Sequence, residues 1–535
     1  MFADLDEGSP GRDPREFDLC IVGAGVAGIS MACRLDGAGI RVGLLEAGGL
    51  EEEPEGQALY RALNEGDPLY PLDKNRRRRF GGTSQLWTGW CRPLDESDFE
   101  ERRWVPDSGW PFGRKELDPW YLEAQKVCEA GPFAYDFPSR ETAAGASSPL
   151  DGLRGFAPRL YCFSPPTRFG PRYRPVLAAS RNVEVLLHAP VVRLVPDAFG
   201  KRIERIEIRN HRGRSCTVKA GYFVLAMGAV ENARLLLASN DVEPRGIGNS
   251  SDLVGRYFME HVNAEWGCVS IRNSVELPPL YRLARPKPVA RLGPDIATQA
   301  REGMMNGNLM LVPAKSSPST AGIAAAALAA ARENGGETAL WSRRRFLAAA
   351  VGGLAGTALL YAGCRSRDTG PPGEWKLLLT QEQAPNRESR IALAGERDAL
   401  GLPVVRVLWR GGDLDRHTFS RLGAGLEEEL RRAGILARGA TSKPAKFDWP
   451  PPPLQGMRGH HMGTTRMHAT PRRGVTDSQG RIFEKQNLYI AGSSLFPTSG
   501  AGTPTLTIVA LALRQAEHLR RRLAQDAAPF TLESR

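Results

Sequence analysis

Two short apolar runs near the N-terminus, Phe17-Asp18-Leu19-Cys20-Ile21-Val22 and Arg41-Val42-Gly43-Leu44-Leu45, are continuous rather than alternating. Runs of this kind predict strands buried on both faces of a parallel sheet. Between them a glycine cluster, Gly23-Ala24-Gly25-Val26-Ala27-Gly28, opens a helix-like stretch to about Ala38, and Glu46 follows the second run. Further apolar runs predict strands at 183–187, 191–195, 221–226 and 487–492, and a helix is expected from Pro504 to about Leu523. From about 263 to 455 the texture becomes more polar and alternating, with Ser389–Leu393 and Pro403–Trp409 expected as strands of a separate sheet. Because buried strands occur both early and at residue 487, the first domain is expected to be discontinuous. The division is 15–262, with an excursion at about 60–180, then a second domain at 263–455, then a return at 456–535. The fold class is α/β, a Rossmann-like domain joined to a second, α+β domain on a mainly antiparallel sheet.

The length of 535 residues supports this division, since single cores stop growing near ~250–300 residues. The net charge of +11 changes the picture little. The basic residues are mostly arginine in short scattered runs, and neither a zinc-finger spacing nor an RNA-binding aromatic signature is present, so nucleic acid is not an expected partner. The run Arg76–Arg79 reads as a solvated loop, with help in holding a phosphate as the alternative. Eight cysteines lie far apart without a C-x-x-C pair, which excludes a zinc ribbon or thioredoxin-like site; no metal is expected. Isolated cysteines and an acidic start lacking an apolar core make a cytoplasmic location the expectation.

The glycine cluster is where composition becomes chemistry. In a strand–helix–strand unit, G-x-G-x-x-G at the first turn is a dinucleotide site. Gly23 permits the tight turn, Gly25 lets a pyrophosphate approach the backbone, and Gly28 lets the helix pack on the sheet. The free N–H groups at the helix start face the phosphate, and Glu46 accepts hydrogen bonds from a ribose hydroxyl.

The stretch 314–373 fits no such scheme. It is rich in Ala and Gly, and Phe346–Cys364 holds 19 residues without a charge, preceded by Arg343-Arg344-Arg345. Export signals are read at the N-terminus, so an internal position argues against one. The expectation is a pair of helices over the active-site mouth or a partner interface, with peripheral membrane contact and then true membrane spanning as the alternatives.

The strongest signal lies in the last 80 residues: Gly459-His460-His461-Met462-Gly463-Thr464-Thr465-Arg466-Met467, then Asn487 through Gly492-Ser493-Ser494 to Gly500-Ala501-Gly502-Thr503-Pro504-Thr505-Leu506. Together with the opening glycine motif, Phe80-Gly81-Gly82-Thr83-Ser84, Pro93–Phe99 and Asp252–Phe258, this resembles the glucose–methanol–choline (GMC) family of FAD-dependent oxidoreductases. It looks closest to the pyranose-oxidase-like bacterial branch.

The resemblance implies FAD, a glutathione-reductase-like flavin domain, and a substrate domain covering the reactive face of the flavin. It implies oxidation of a carbinol in a sugar, glycoside or other alcohol, with hydride passing to flavin N5. His461 occupies the position of the general base, a role that suits an imidazole of intrinsic pKa ~6.5; His460 is expected to point elsewhere. Thr503 stands where relatives carry a second His or Asn. Thr503-Pro504 also has the chemistry of a helix cap, so capping alone and capping with a substrate contact both stay open. Gly82, Thr83 and Ser84 are expected against the flavin edge, with Val191, Gly492, Ser493, Thr505 and Leu506 as further cofactor contacts. Some relatives attach the flavin through a His directly before the tryptophan of the glycine loop. Leu86 stands there, so FAD is expected to be noncovalent. The electron acceptor is oxygen, a quinone or a separate cytochrome. Two other functions fit the same residues: a tailoring enzyme for a specialised metabolite, and a flavin-bound docking subunit without turnover.

Overall fold

The computed structural model describes all residues except 8–13, 136–148, 273–274, 276, 278–288, 315–372, 438–442, 445–448, 452–458 and 528–535. The Ala/Gly-rich stretch expected at 314–373, with its membrane or partner contact, therefore lies outside the described residues apart from its two ends. Among the described residues no helix is long and apolar enough to cross a membrane.

The run beginning at Phe17 forms strand Arg15–Val22, the second forms Val42–Leu45, and the two pair in parallel. Their apolar character reflects position: Leu19, Cys20, Ile21, Val42 and Leu44 have no exposed surface. The eight-stranded sheet runs Phe2–Asp4, Val183–Leu187, Val42–Leu45, Arg15–Val22, Ser215–Leu225, Ile203–Arg209, Val191–Pro196, with Leu488–Ile490 also on Ser215–Leu225. The C-terminal strand thus returns to the first sheet. The helix after the glycine cluster spans Val26–Arg34, shorter than expected, because Gly37 and Gly39 follow with φ of +73° and +74°. Helix Pro504–Ala527 closes the chain.

The second sheet has seven strands in the order Lys443–Pro444, Val262–Ser270, Glu374–Gln381, Gly307–Pro313, Val289–Pro294, Phe156–Phe163, Trp90–Cys91. Every neighbouring pair is antiparallel. Helix Asp413–Arg432 covers one face through Phe419, Leu422, Leu426 and Leu430.

Two segments change sides relative to the expected division. Trp90–Cys91 and Phe156–Phe163, expected within the flavin-domain excursion, complete the edge of the substrate sheet. The hairpin Arg390–Arg397 and Pro403–Leu408, expected in the substrate domain, forms a three-stranded sheet with Ala62–Asn64. Its Ile391, Val405 and Val407 are buried in the same core as the large sheet. Strand pairing over long sequence separations decides both cases, and apolar patterning along the chain carries no information about it.

Candidate functional site

One cavity of about 930 Å³ runs from the first glycine loop to the histidine pair, with Gly23, Gly25, Glu46, Gly82, Thr83, Ser84, Val191, Gly492, Ser493, Thr503 and Thr505 on its wall. It therefore collects eleven of the fourteen expected site residues, and His461 is a twelfth. Gly28 and Leu506 lie behind the wall. Gly28 does the packing work expected of it: a Cβ there would sit 2.0 Å from the Gly23 carbonyl oxygen. Leu506 is completely buried in the main core, so its side chain takes no part in the cavity.

At the nucleotide end the backbone does the shaping. Gly23 holds φ +105°, and a Cβ would lie 2.8 Å from the Ala226 oxygen. Gly25, at the start of helix Val26–Arg34, faces open space with no atom within 4 Å of its virtual Cβ. Glu46 accepts from the Ala24 N–H at 3.1 Å and the Gly48 N–H at 3.0 Å, leaving each carboxylate oxygen capacity for a further donor. Burial pushes its carboxyl pKa up, against those hydrogen bonds and the Arg78 charge.

Arg76 and Arg78 also line this cavity, which corrects the reading of Arg76–Arg79 as a solvated loop. Arg76 pairs with Glu231 at 2.6 Å and Arg78 with the same carboxylate at 3.3 Å. Both guanidinium groups lie over the Tyr60 ring. Three arginines (76, 78 and 234) hold Glu231 well into its ionised form, at a pKa of about 2, although burial opposes them. Among the described residues the buried Nε of Arg78 has no hydrogen-bond partner. An open helix start, an acceptor at the end of the second strand and a cation with unused donor capacity fit the phosphates and ribose of a dinucleotide.

The carbinol end is built from side chains. Met259 and Met462 exchange backbone hydrogen bonds of 3.0 Å, which sets Glu260 and His261 beside His460 and His461. Ser493 donates to the His461 carbonyl at 2.6 Å and fastens that segment to the C-terminal return. His461, 7% exposed, places Nε2 3.0 Å from the Tyr70 hydroxyl and 3.8 Å from Glu260. Tyr70 also bonds Glu260, whose carboxylate accepts the N–H groups of Gly459, His460 and His261. Burial raises the Glu260 pKa to about 7 and lowers that of His461 to about 3, the latter helped by Arg76.

His460 turns the other way, and it lines the cavity too, contrary to expectation. Its Nδ1 lies 2.9 Å from Nδ1 of His261, whose Nε2 meets the Gly500 carbonyl at 2.8 Å. Among the described residues its Nε2 has no partner. Burial lowers the His460 pKa well below 6.5, helped by the charges of His261, His461 and Arg291. Arg291 stacks over Trp90 and Tyr161 on the substrate sheet. The Thr503 hydroxyl donates to the Trp90 carbonyl at 2.7 Å, and among the described residues it accepts no backbone N–H from its own helix. The capping role is therefore not realised through its hydroxyl. Glu260, His261 and Tyr70 were not singled out from sequence. The available signal was the Glu-His pair two residues beyond the Asp252–Phe258 motif.

One cavity thus joins a dinucleotide-type glycine loop to a pair of histidines, an arrangement that suits a dinucleotide-dependent oxidoreductase. Residues 385–512 match the family model described as GMC oxidoreductase. The chain is 25% identical to 6'''-hydroxyparomomycin C oxidase of Streptomyces lividus, covering 97% of this chain and 94% of that protein. It is 24% identical to the fructose dehydrogenase large subunit of Gluconobacter japonicus, covering 95% and 98%. Among solved structures, pyridoxine 4-oxidase from Mesorbium loti superposes with a TM-score of 0.54 at 18% identity, over 94% of this chain and 98% of that one. These likenesses, a GMC oxidoreductase model over 385–512 and oxidases and dehydrogenases over nearly the whole chain, agree with the resemblance that the sequence motifs carry.

Proposed function

We propose that this enzyme oxidises a carbinol of a sugar, glycoside or small polyol, with the hydroxyl proton taken by the histidine pair at the inner end of the cavity. The observation that carries this reading is the cavity itself: one continuous space joins the dinucleotide loop to two histidines whose burial keeps them unprotonated at neutral pH. An unprotonated imidazole is the state a general base requires. Bound FAD supplies the hydride acceptor, N5. Between the two histidines the contacts favour His460. Its Nε2 is unengaged, whereas Nε2 of His461, the base expected from sequence, is held by Tyr70. Thr503, whose own proton is given to Trp90, can only accept, and so receives a hydrogen bond from a substrate hydroxyl.

The named substrates of relatives support the class: an aminoglycoside, fructose, and 2-methyl-1,2-propanediol. FAD is proposed to be held noncovalently, because Leu86, on the cavity wall, offers no nucleophile. A cytoplasmic site of action is proposed on the seven described cysteines, all free. Recovery of the protein in a membrane pellet, lost on deletion of 315–372, would count against it.

The test is anaerobic mixing of the purified yellow protein with D-fructose, methyl β-D-glucoside, paromamine and 2-methyl-1,2-propanediol. Bleaching of the flavin band by one of them is expected, and reoxidation by air or by a quinone then identifies the acceptor. His460→Ala is expected to slow bleaching on the order of 100-fold or more, and His461→Ala to slow it less. The reverse order would return the base to His461, and full-rate bleaching in both variants would sink the reading. Acid precipitation that leaves flavin on the protein would overturn noncovalent binding.

A further inference from the structure

We infer that His261 is a positioning residue which fixes the tautomer of His460, so that the lone pair of Nε2 faces the cavity. The inference rests on the reading of His460 as the base and adds the device that prepares it.

The Gly500 carbonyl can only accept, so the 2.8 Å contact from His261 Nε2 requires a proton on that nitrogen. His261 is buried, and burial lowers its pKa to about 4, so near neutral pH the ring carries one proton only. Its Nδ1 is then a bare acceptor. The 2.9 Å contact between the two Nδ1 atoms in turn requires His460 to donate. His460 is itself neutral, and its single proton is committed to Nδ1. Nε2 is left as the only basic nitrogen of the ring. A partner on one imidazole nitrogen decides the chemistry of the other.

His461 has no such lock. Its Nε2 meets a tyrosine hydroxyl, which both donates and accepts, and beyond it Glu260 changes its proton near pH 7. The direction of that chain reverses with pH. The direction of the Gly500–His261–His460 chain does not. His261 also immediately precedes strand Val262–Ser270 of the substrate sheet, while Gly500 precedes the closing helix of the flavin domain. The base is therefore oriented by a contact that exists only when both domains are assembled. The charged and titratable groups facing the pair are His461 and Glu260 beside it, Arg291 from the substrate sheet, and Glu382 near His261.

The test uses FAD-loaded enzyme labelled with 15N-histidine, the His460 signals being assigned by their loss in His460→Gln. Wild type is expected to show a protonated Nδ1 and a bare Nε2 without any substrate present. In His261→Phe, which keeps a ring but no acceptor, both nitrogens are expected to move to averaged values. Flavin reduction by the best carbinol of the panel above should slow at least tenfold in this variant, by analogy with other groups that orient a reacting ligand. The acid limb of the reduction rate should also move, because His261 is among the groups that, after burial, set the His460 pKa. His261→Asn restores an acceptor near the Nδ1 position and should recover most of the rate. A wild-type Nε2 that carries the proton would overturn the inference. So would a His261→Phe enzyme with unchanged nitrogen signals, rate and acid limb. If the Phe variant fails to load FAD, the Asn variant decides by its acid limb, which must move. Full-rate reduction in His460→Ala would remove the base assignment and this role with it. The two failures remain distinguishable, since the nitrogen signals are read without turnover.

Discussion

The two ends of the cavity solve opposite problems by opposite means. At the nucleotide end, side chains are removed: Gly23 and Gly28 let backbone approach backbone, and Gly25 leaves open space at the helix start where a phosphate fits. At the carbinol end, side chains are crowded in, and polar rings from distant segments orient one another through hydrogen bonds. The first plan is local in sequence, and at Gly23 and Gly28 it tolerates no added atom. The second is assembled from four segments, around residues 70, 260, 460 and 500, and depends on the two domains meeting correctly.

The largest expected effect separates two roles within the nucleotide end. Gly28→Ala would drive a methyl carbon to within 2.0 Å of a backbone oxygen that no side-chain rotation can relieve. It should yield no FAD-loaded soluble enzyme. Gly25→Ala meets nothing within 4 Å, so the apoprotein should melt as wild type does, while FAD affinity falls on the order of tenfold or more because the added methyl occupies the phosphate approach. Flavin absorbance per protein and thermal melting check both. Normal flavin loading in Gly25→Ala would break the assignment of that loop.

The carbinol end should instead fail by loss of assembly. Arg102 makes paired hydrogen bonds of 2.8 and 2.6 Å to Glu382, at 1% and 0% side-chain exposure, and so bolts the flavin domain to the end of strand Glu374–Gln381. Arg102→Leu leaves a buried carboxylate without its cation, a change that costs about 3–5 kcal/mol. Denaturant unfolding should show that loss, and Arg102→Leu combined with Glu382→Leu should recover part of it. A cost under about 1 kcal/mol for the single variant would mean the clamp is not what holds the domains in register.

A smaller effect, specific in pH, concerns Glu260. Its folded pKa of about 7 stands above the ordinary 4.5. The unfolded chain therefore ionises first as pH rises. The stability contributed by the protonated form is complete below about pH 4.5 and is lost progressively as pH passes through about 7, a span of about 3 kcal/mol. Glu260→Gln cannot ionise, so its stability should be flatter than wild type between about pH 5 and 8. Parallel curves for the two proteins would show that the backbone donors from Gly459, His460 and His261 already keep Glu260 ionised.

The contrast also explains what was legible in the sequence. The glycine loop, its two strands and Glu46 form a contiguous unit, and the structure pairs the strands in parallel with Glu46 against the loop. His461 and Thr503 were legible as members of a motif, and both reach the cavity. The partners that give the histidines their properties were not. Tyr70 is 391 residues from His461, and His261 is 199 from His460. No periodicity links such residues; a β-bridge between Met259 and Met462 does. The exchange of Trp90–Cys91 and Phe156–Phe163 into the substrate sheet was hidden for the same reason.

The smallest expected effect tests where the two plans meet. Thr503 precedes the closing helix, and its hydroxyl proton goes to the Trp90 carbonyl at 2.7 Å, tying the flavin domain to the edge strand of the substrate sheet. Its oxygen keeps acceptor capacity on the cavity wall. Thr503→Val preserves shape and removes both functions. Loss of the bond to Trp90 should lower stability by about 1 kcal/mol. Loss of the acceptor should weaken binding of the reducing carbinol about two- to tenfold, with the limiting rate of flavin reduction little changed, because a neutral hydrogen bond to substrate contributes about 0.5–1.5 kcal/mol. The split between binding and rate is the informative part. A change in melting alone would make Thr503 a fastening between domains, whereas a fall in the limiting rate would place its oxygen against the reacting hydroxyl, on the side of the base.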